Sequence, residues 1–124
     1  CHLRSREPVS ALADVLQEAP AAAVLANCSM PEAMEAAMAA LRPLGLPFGA
    51  YDNGFSEISG LPVPEGNHAP VYCARHDLTP QAYTAFAQRW IEMGATIVGG
   101  CCEVGPAHIR HLAAALRDAG HQIA

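Results

Sequence analysis

Cys28, Cys101 and Cys102 are the residues of this chain best suited to chemistry, and their setting matters as much as their type. The adjacent pair follows Gly99-Gly100 at the end of the short apolar run "ATIV", and Cys28 closes another run, "AAAVLANC". Thiolates bind zinc well, and a catalytic zinc site uses three protein ligands while one position stays open for water or substrate. No fourth cysteine or histidine stands at the spacing of a closed structural knuckle. Taken singly, a cysteine at a strand end is more often a small buried hydrophobe than a ligand. A neighbouring pair beyond two glycines argues for metal binding, because parallel α/β folds gather their chemistry where strands end. Adjacent residues on a regular strand face opposite ways, so both can reach one ion only where the backbone turns, and Gly99 and Gly100 are expected to permit that turn. Thiol-redox exchange is the weaker use of the pair, since vicinal cysteines close a strained ring and lack the usual two-residue spacer.

The other candidates carry less. Five cysteines is an odd number, and free thiols fit a reducing compartment better than a disulfide framework does. Cys1 and Cys73 are read as non-functional, Cys73 being at most a rival ligand from a long loop. His108 and His111 lie three apart, without the spacing of a zinc-hydrolase helix, and are expected to pack or to be solvated. Asn27 and Asn53 stand at strand ends and are candidate substrate contacts, although asparagine also favours turns.

These residues need elements to position them. Val9, Leu12, Val15 and Leu16 mark one face of a helix over residues 8–18, with Pro8 in its first turn. "AAAVLANC" reads as a strand buried on both faces. Ser29 and Glu32 have capping-box spacing ahead of a helix whose buried stripe is Met34, Ala37, Met38 and Leu41. "LPFGAYDNG" reads as a second strand ended by a turn. Residues 55–78 form a long connection rich in proline, expected to cover a site. Thr79-Pro80 opens a helix with Tyr83, Phe86, Ala87 and Trp90 on one face and Gly94 as its stop. "ATIVGG" is the third strand, and a last helix from Pro106 to Gly120 is expected to bury Ile109, Leu112, Ala113 and Leu116. A helix followed by three strand–helix units implies parallel strands joined by right-handed crossovers. Cys28, Asn53 and the Cys101-Cys102 pair then converge on one rim.

Composition sets the outer bounds. The 124 residues are 52% hydrophobic and 15% charged with a formal charge of −5, which indicates one globular domain. Seven basic residues, with no basic run, give no footprint for nucleic acid or an anionic membrane. The longest apolar stretch is about half the roughly 20 residues of a membrane-spanning helix, and the chain reads as cytoplasmic. It begins at Cys1 without an initiator methionine, so a piece of a longer protein is expected.

The stretches "LANCSMPEAMEAAMAAL", "PFGAYDNGF" and "WIEMGATIVGGCCEVGPAHIRHLAAAL" resemble the carboxy-terminal portion of the homocysteine S-methyltransferases. That family includes betaine-dependent enzymes and the homocysteine domain of cobalamin-dependent methionine synthase. The resemblance covers most of the chain. It implies that residues 1–124 are the C-terminal part of a (β/α)8 TIM barrel, with the sixth, seventh and eighth βα units present. It further implies that Cys28, Cys101 and Cys102 hold Zn2+, and that a methyl group passes from a sulfonium or ammonium donor to homocysteine to give methionine. The chain departs from the family pattern in two places: Glu103-Val104 after the cysteine pair, and Asp52 between Tyr51 and Asn53 where proline is common. A barrel of this type takes about 250 residues. The alternative is a non-catalytic barrel fragment or association module that pairs its open strand edges with an N-terminal half or a second copy.

Overall fold

The computed structural model describes residues 1–56 and 73–123. A 3-10 turn, Val9–Ala11, leads into α1 (Leu12–Glu18); then follow β1 (Val24–Asn27), α2 (Pro31–Leu41) with a second 3-10 turn, Arg42–Leu44, β2 (Phe48–Asp52), α3 (Pro80–Glu92), β3 (Ile97–Gly100) and α4 (Pro106–Asp118). The expected order of a helix and three strand–helix units is present. The strands form one parallel sheet in the order β1-β2-β3. The long connection expected to act as a cover lies mostly outside the described residues.

Alternation along the strands sorts the sheet into two faces. Phe48 and Ala50 turn to the helices, and with Val24, Ala26 and Val98 they meet the core stripe of α2 (Met34, Ala37, Met38 and Leu41) and of α3 (Tyr83, Ala87 and Trp90). Asn27, Tyr51 and Gly99 are paired across the three strands and belong to the other face, where Tyr51 is exposed. Among the described residues no helix covers that face. An apolar groove of about 720 Å³ runs along the edge of β3 that pairs with no further strand among the described residues, lined in part by Ile97, Ile109, Leu112, Leu116 and Ile123.

Helix boundaries follow local chemistry, with two corrections. Thr79 caps α3, its Oγ1 accepting the Ala82 amide at 3.2 Å, and Gly94 stops the helix at φ +105°. Ser29, by contrast, caps nothing: α2 begins at Pro31, and the residue ahead of a proline is driven to extended backbone, so Met30 takes the N-cap position at ψ 144°. Ile109 is the second correction. It is 41% exposed and borders the groove, whereas Leu112 and Leu116 are buried as expected.

The two histidines of α4 pack, as their spacing suggested. His108 Nδ1 accepts the Gly105 amide at 3.1 Å, which leaves Nε2 to donate to the Leu78 carbonyl at 2.8 Å. Thr84 donates its hydroxyl to the Pro80 carbonyl, so the same oxygen accepts from His111 Nδ1 at 2.8 Å. Both bonds tie α4 to α3 or to the chain leading into it.

Candidate metal centre at the strand ends

The three strand ends are knitted together by backbone hydrogen bonds that continue past the ladder. Cys28 donates its amide to the Tyr51 carbonyl at 2.8 Å, Asn53 to Ser29 at 3.0 Å, Cys101 to Asp52 at 2.7 Å, and Gly54 to Cys102 at 2.8 Å. The first three bonds each fix the residue that follows a strand, and the fourth joins the chain one residue further on. Residues far apart in sequence thereby meet: the Sγ atoms of Cys28, Cys101 and Cys102 all lie within 4.8 Å of one another.

The turn that aims the sulfurs is not made where the glycines suggested. Gly99 and Gly100 are ordinary members of β3. Left-handed backbone occurs instead at Cys28 (φ 55°) and at Glu103 (φ 65°), beside the pair. Such a conformation in a non-glycine residue costs about 1 kcal/mol or more and persists where its surroundings enforce it. The glycines serve a different purpose, close approach. A Cβ on Gly99 would stand 2.5 Å from Cε1 of Tyr51, and one on Gly100 would collide with the side chain of Val104.

The sulfurs interact strongly. Cys101 and Cys102 stand 3.7 Å apart at Sγ. A hydrogen bond to Cys101, followed by burial and the charge of Cys101, pushes the Cys28 thiol up to about 11, while Cys101 moves below its ordinary value by accepting from Cys28. One sulfur of the trio thus ionises readily and the next proton is held hard, as expected of like charges at contact distance.

A divalent ion suits this donor set. Sulfurs bound to tetrahedral zinc at about 2.3 Å lie ~3.8 Å apart, close to the Cys101–Cys102 separation and inside the span of the trio. Cys73 and Cys1 are exposed and stand outside the cluster. Asn27 is the last residue of β1, exposed, immediately before Cys28. Asn53 is fully buried; its Oδ1 accepts the Phe55 amide at 3.1 Å, and its Nδ2 has no partner among the described residues.

Beneath the rim lie groups that sequence reasoning missed. Asp52 is fully buried, and neither carboxylate oxygen has a well-formed hydrogen bond among the described residues; the Tyr83 hydroxyl and Trp90 Nε1 are in the same condition. Burial pushes the Asp52 carboxyl up to about 7, against the weaker pull of its own backbone amide, with Glu32 raising it and Arg75 lowering it. Arg75 grips Asp77 with two nitrogens at 3.1 and 2.7 Å and Glu32 with a third at 2.8 Å, while its amide donates to the Gly54 carbonyl at 2.7 Å. It thus fastens the returning chain to the first turn of α2 and to the residue after Asn53. Alternation along β2 could have flagged Asp52 as helix-facing; nothing in the sequence pairs Arg75 with Glu32.

A parallel α/β layer with three converging thiols at the carboxyl ends of its strands defines a candidate thiolate metal centre. The sequence profile of the family described as homocysteine S-methyltransferase matches residues 1–116, and the chain belongs to that family. Over 53 residues, 42% of this chain, it is 40% identical to "Homocysteine S-methyltransferase 1" of Zea mays, a stretch that spans 15% of the maize protein. No helix among the described residues is long and apolar enough to cross a membrane.

Proposed function

We propose that the strand-end site takes part in zinc-dependent methyl transfer from a sulfonium or quaternary ammonium donor to homocysteine, giving methionine. The observation that carries this reading is the convergence of the Cys28, Cys101 and Cys102 sulfurs, in a chain of this family. These three residues would hold the ion. When bound, zinc supplies a position at which the homocysteine thiol, with an ordinary pKa near 8.5, is kept as thiolate at neutral pH.

The transfer itself balances without a further reactant. A new S–CH3 bond forms from a homocysteine sulfur lone pair as the donor's S–CH3 or N–CH3 bond breaks. The bonding pair leaves with the donor heteroatom, which becomes a neutral sulfide or amine. The chain's task is to hold two substrates in line, a contribution that reaches several kcal/mol when geometry is well fixed. Asn27 and Asn53 are proposed as substrate contacts on the rim, Asn53 Nδ2 being a donor with no partner among the described residues. The three strand–helix units are proposed to be the sixth to eighth of a (β/α)8 barrel, with the face bearing Tyr51 turned to the barrel interior.

A second reading follows from the groove beside β3. The chain alone is then an association module that completes its sheet with an N-terminal half or a second copy, homocysteine chemistry belonging to the assembled protein. Native mass spectrometry separates the two, since a stable dimer of the chain favours the module. The direct test of methyl transfer is metal analysis coupled to methionine formation from sulfonium and ammonium donors. One zinc per chain, with activity lost on chelation and restored by zinc, is expected; full activity of C101A overturns the reading.

A further inference from the structure

Tyr51 is, among the described residues, the one aromatic side chain classed as exposed, at 37% of its surface. Its place is specific. The edge of the ring is pressed onto β3 at Gly99, where a Cβ would stand 2.5 Å from Cε1 and 2.7 Å from Cδ1. Asn27 and Gly99 are its register partners, so the ring occupies the row that immediately precedes the cysteines, on the face without helices. The Tyr51 carbonyl accepts the Cys28 amide at 2.8 Å, which locks the backbone of this row to the candidate metal centre. By alternation Leu25, Gly49 and Ile97 share that face, and neither they nor Asn27 and Gly99 carry charge.

We propose that Tyr51 provides the aromatic surface that receives the cationic centre of the methyl donor, a sulfonium or quaternary ammonium group. The assignment rests on the methyl-transfer reading above. An onium centre has no N–H or S–H to donate and cannot shed its charge, so ordinary polar side chains recognise it poorly. Aromatic faces do so through the ring quadrupole. Tyr51 is the exposed ring, among the described residues, in the row that leads into the three cysteines. A neutral group of the same shape would gain only the contact area, and that difference distinguishes cation recognition from a residue that merely fills space.

The test uses the whole chain, metal-free and zinc-loaded, with ring-labelled tyrosine followed by NMR and the Tyr51 signals assigned by their loss in Y51F. Tetramethylammonium and trimethylsulfonium should each shift those signals saturably, and the stronger of the two marks which donor class the site prefers. Neutral tert-butyl alcohol should not. Y51L should weaken onium binding on the order of fivefold, the value of a partly exposed cation–π contact, and Y51F should stay within about twofold. An equal response to tert-butyl alcohol, or unchanged affinity in Y51L, overturns the assignment; the first comparison needs no variant to fold. Zinc content and methionine formation are read separately. Onium binding on a chain that takes no zinc and makes no methionine keeps Tyr51 and defeats the methyl-transfer reading, whereas methyl transfer with unaltered probe affinity in Y51L does the reverse.

Discussion

The carbonyl oxygen of Asp52 accepts the amide of Cys101 at 2.7 Å, while the Asp52 side chain is buried on the helix side of the same strand. One residue therefore supports the sulfur cluster through its backbone and carries into the core a carboxyl group without a partner among the described residues. The two roles are separable by substitution.

Asp52→Asn keeps the carbonyl and removes the acid. Its carboxyl titrates near 7 in the folded chain, above the ordinary value near 4. Between those values the folded chain holds a proton that the unfolded chain has released, so stability falls as pH rises from about 4 to about 7 and then levels off. The asparagine variant of the metal-free chain should show a flatter profile in urea unfolding. Its gain should be on the order of 1–3 kcal/mol at pH 8, with little change at pH 4. An unaltered profile would remove Asp52 from this account.

Cys28→Ala, Cys101→Ala and Cys102→Ala should each lower zinc affinity by ~100-fold or more, since even residues that only orient a ligand are worth 10–100-fold. Competition with a chromophoric chelator reads this directly. Cys73→Ala, outside the cluster, should leave affinity unchanged.

Zinc binding should release protons and weaken steeply as pH falls. Cys28 holds its proton up to about 11 in the metal-free chain, whereas a ligand sulfur must give its proton up. Calorimetry in buffers of different ionisation enthalpy counts the protons. Release of none would contradict thiolate ligation.

Gly49→Ala should destabilise the sheet strongly. Its added Cβ would run into the carbonyl of Ile97, which is backbone and cannot rotate aside. A loss of about 2 kcal/mol or more is expected from chemical denaturation. Gly100→Ala would run into Cβ and Cγ1 of Val104, and because that Cβ is fixed by the backbone this change should also destabilise.

Much of this architecture is written in the sequence. Apolar runs separated by amphipathic stretches place all three strands and the helices between them, and the glycine at 94 marks the end of α3. Convergence of Cys28 with Cys101 and Cys102 follows from parallel strands sharing one rim. Local signals misled where a tertiary constraint or a neighbouring residue overruled them. Ser29 has the composition of a cap, but Pro31 sets the helix start and the Ser29 carbonyl is committed to Asn53. The glycine pair suggested a flexible turn, yet the positive φ angles fall on Cys28 and Glu103, residue types that carry no such signal. The Arg75–Glu32 pair joins residues distant in sequence, so only the fold reveals it.

More than half of the chain lies between Cys28 and the Cys101-Cys102 pair. An ion gripping all three sulfurs would act as a reversible crosslink across that span, restricting the unfolded ensemble much as a long-range disulfide does. Metal supply would then bear on how long the polypeptide survives proteolysis, whatever chemistry the site performs.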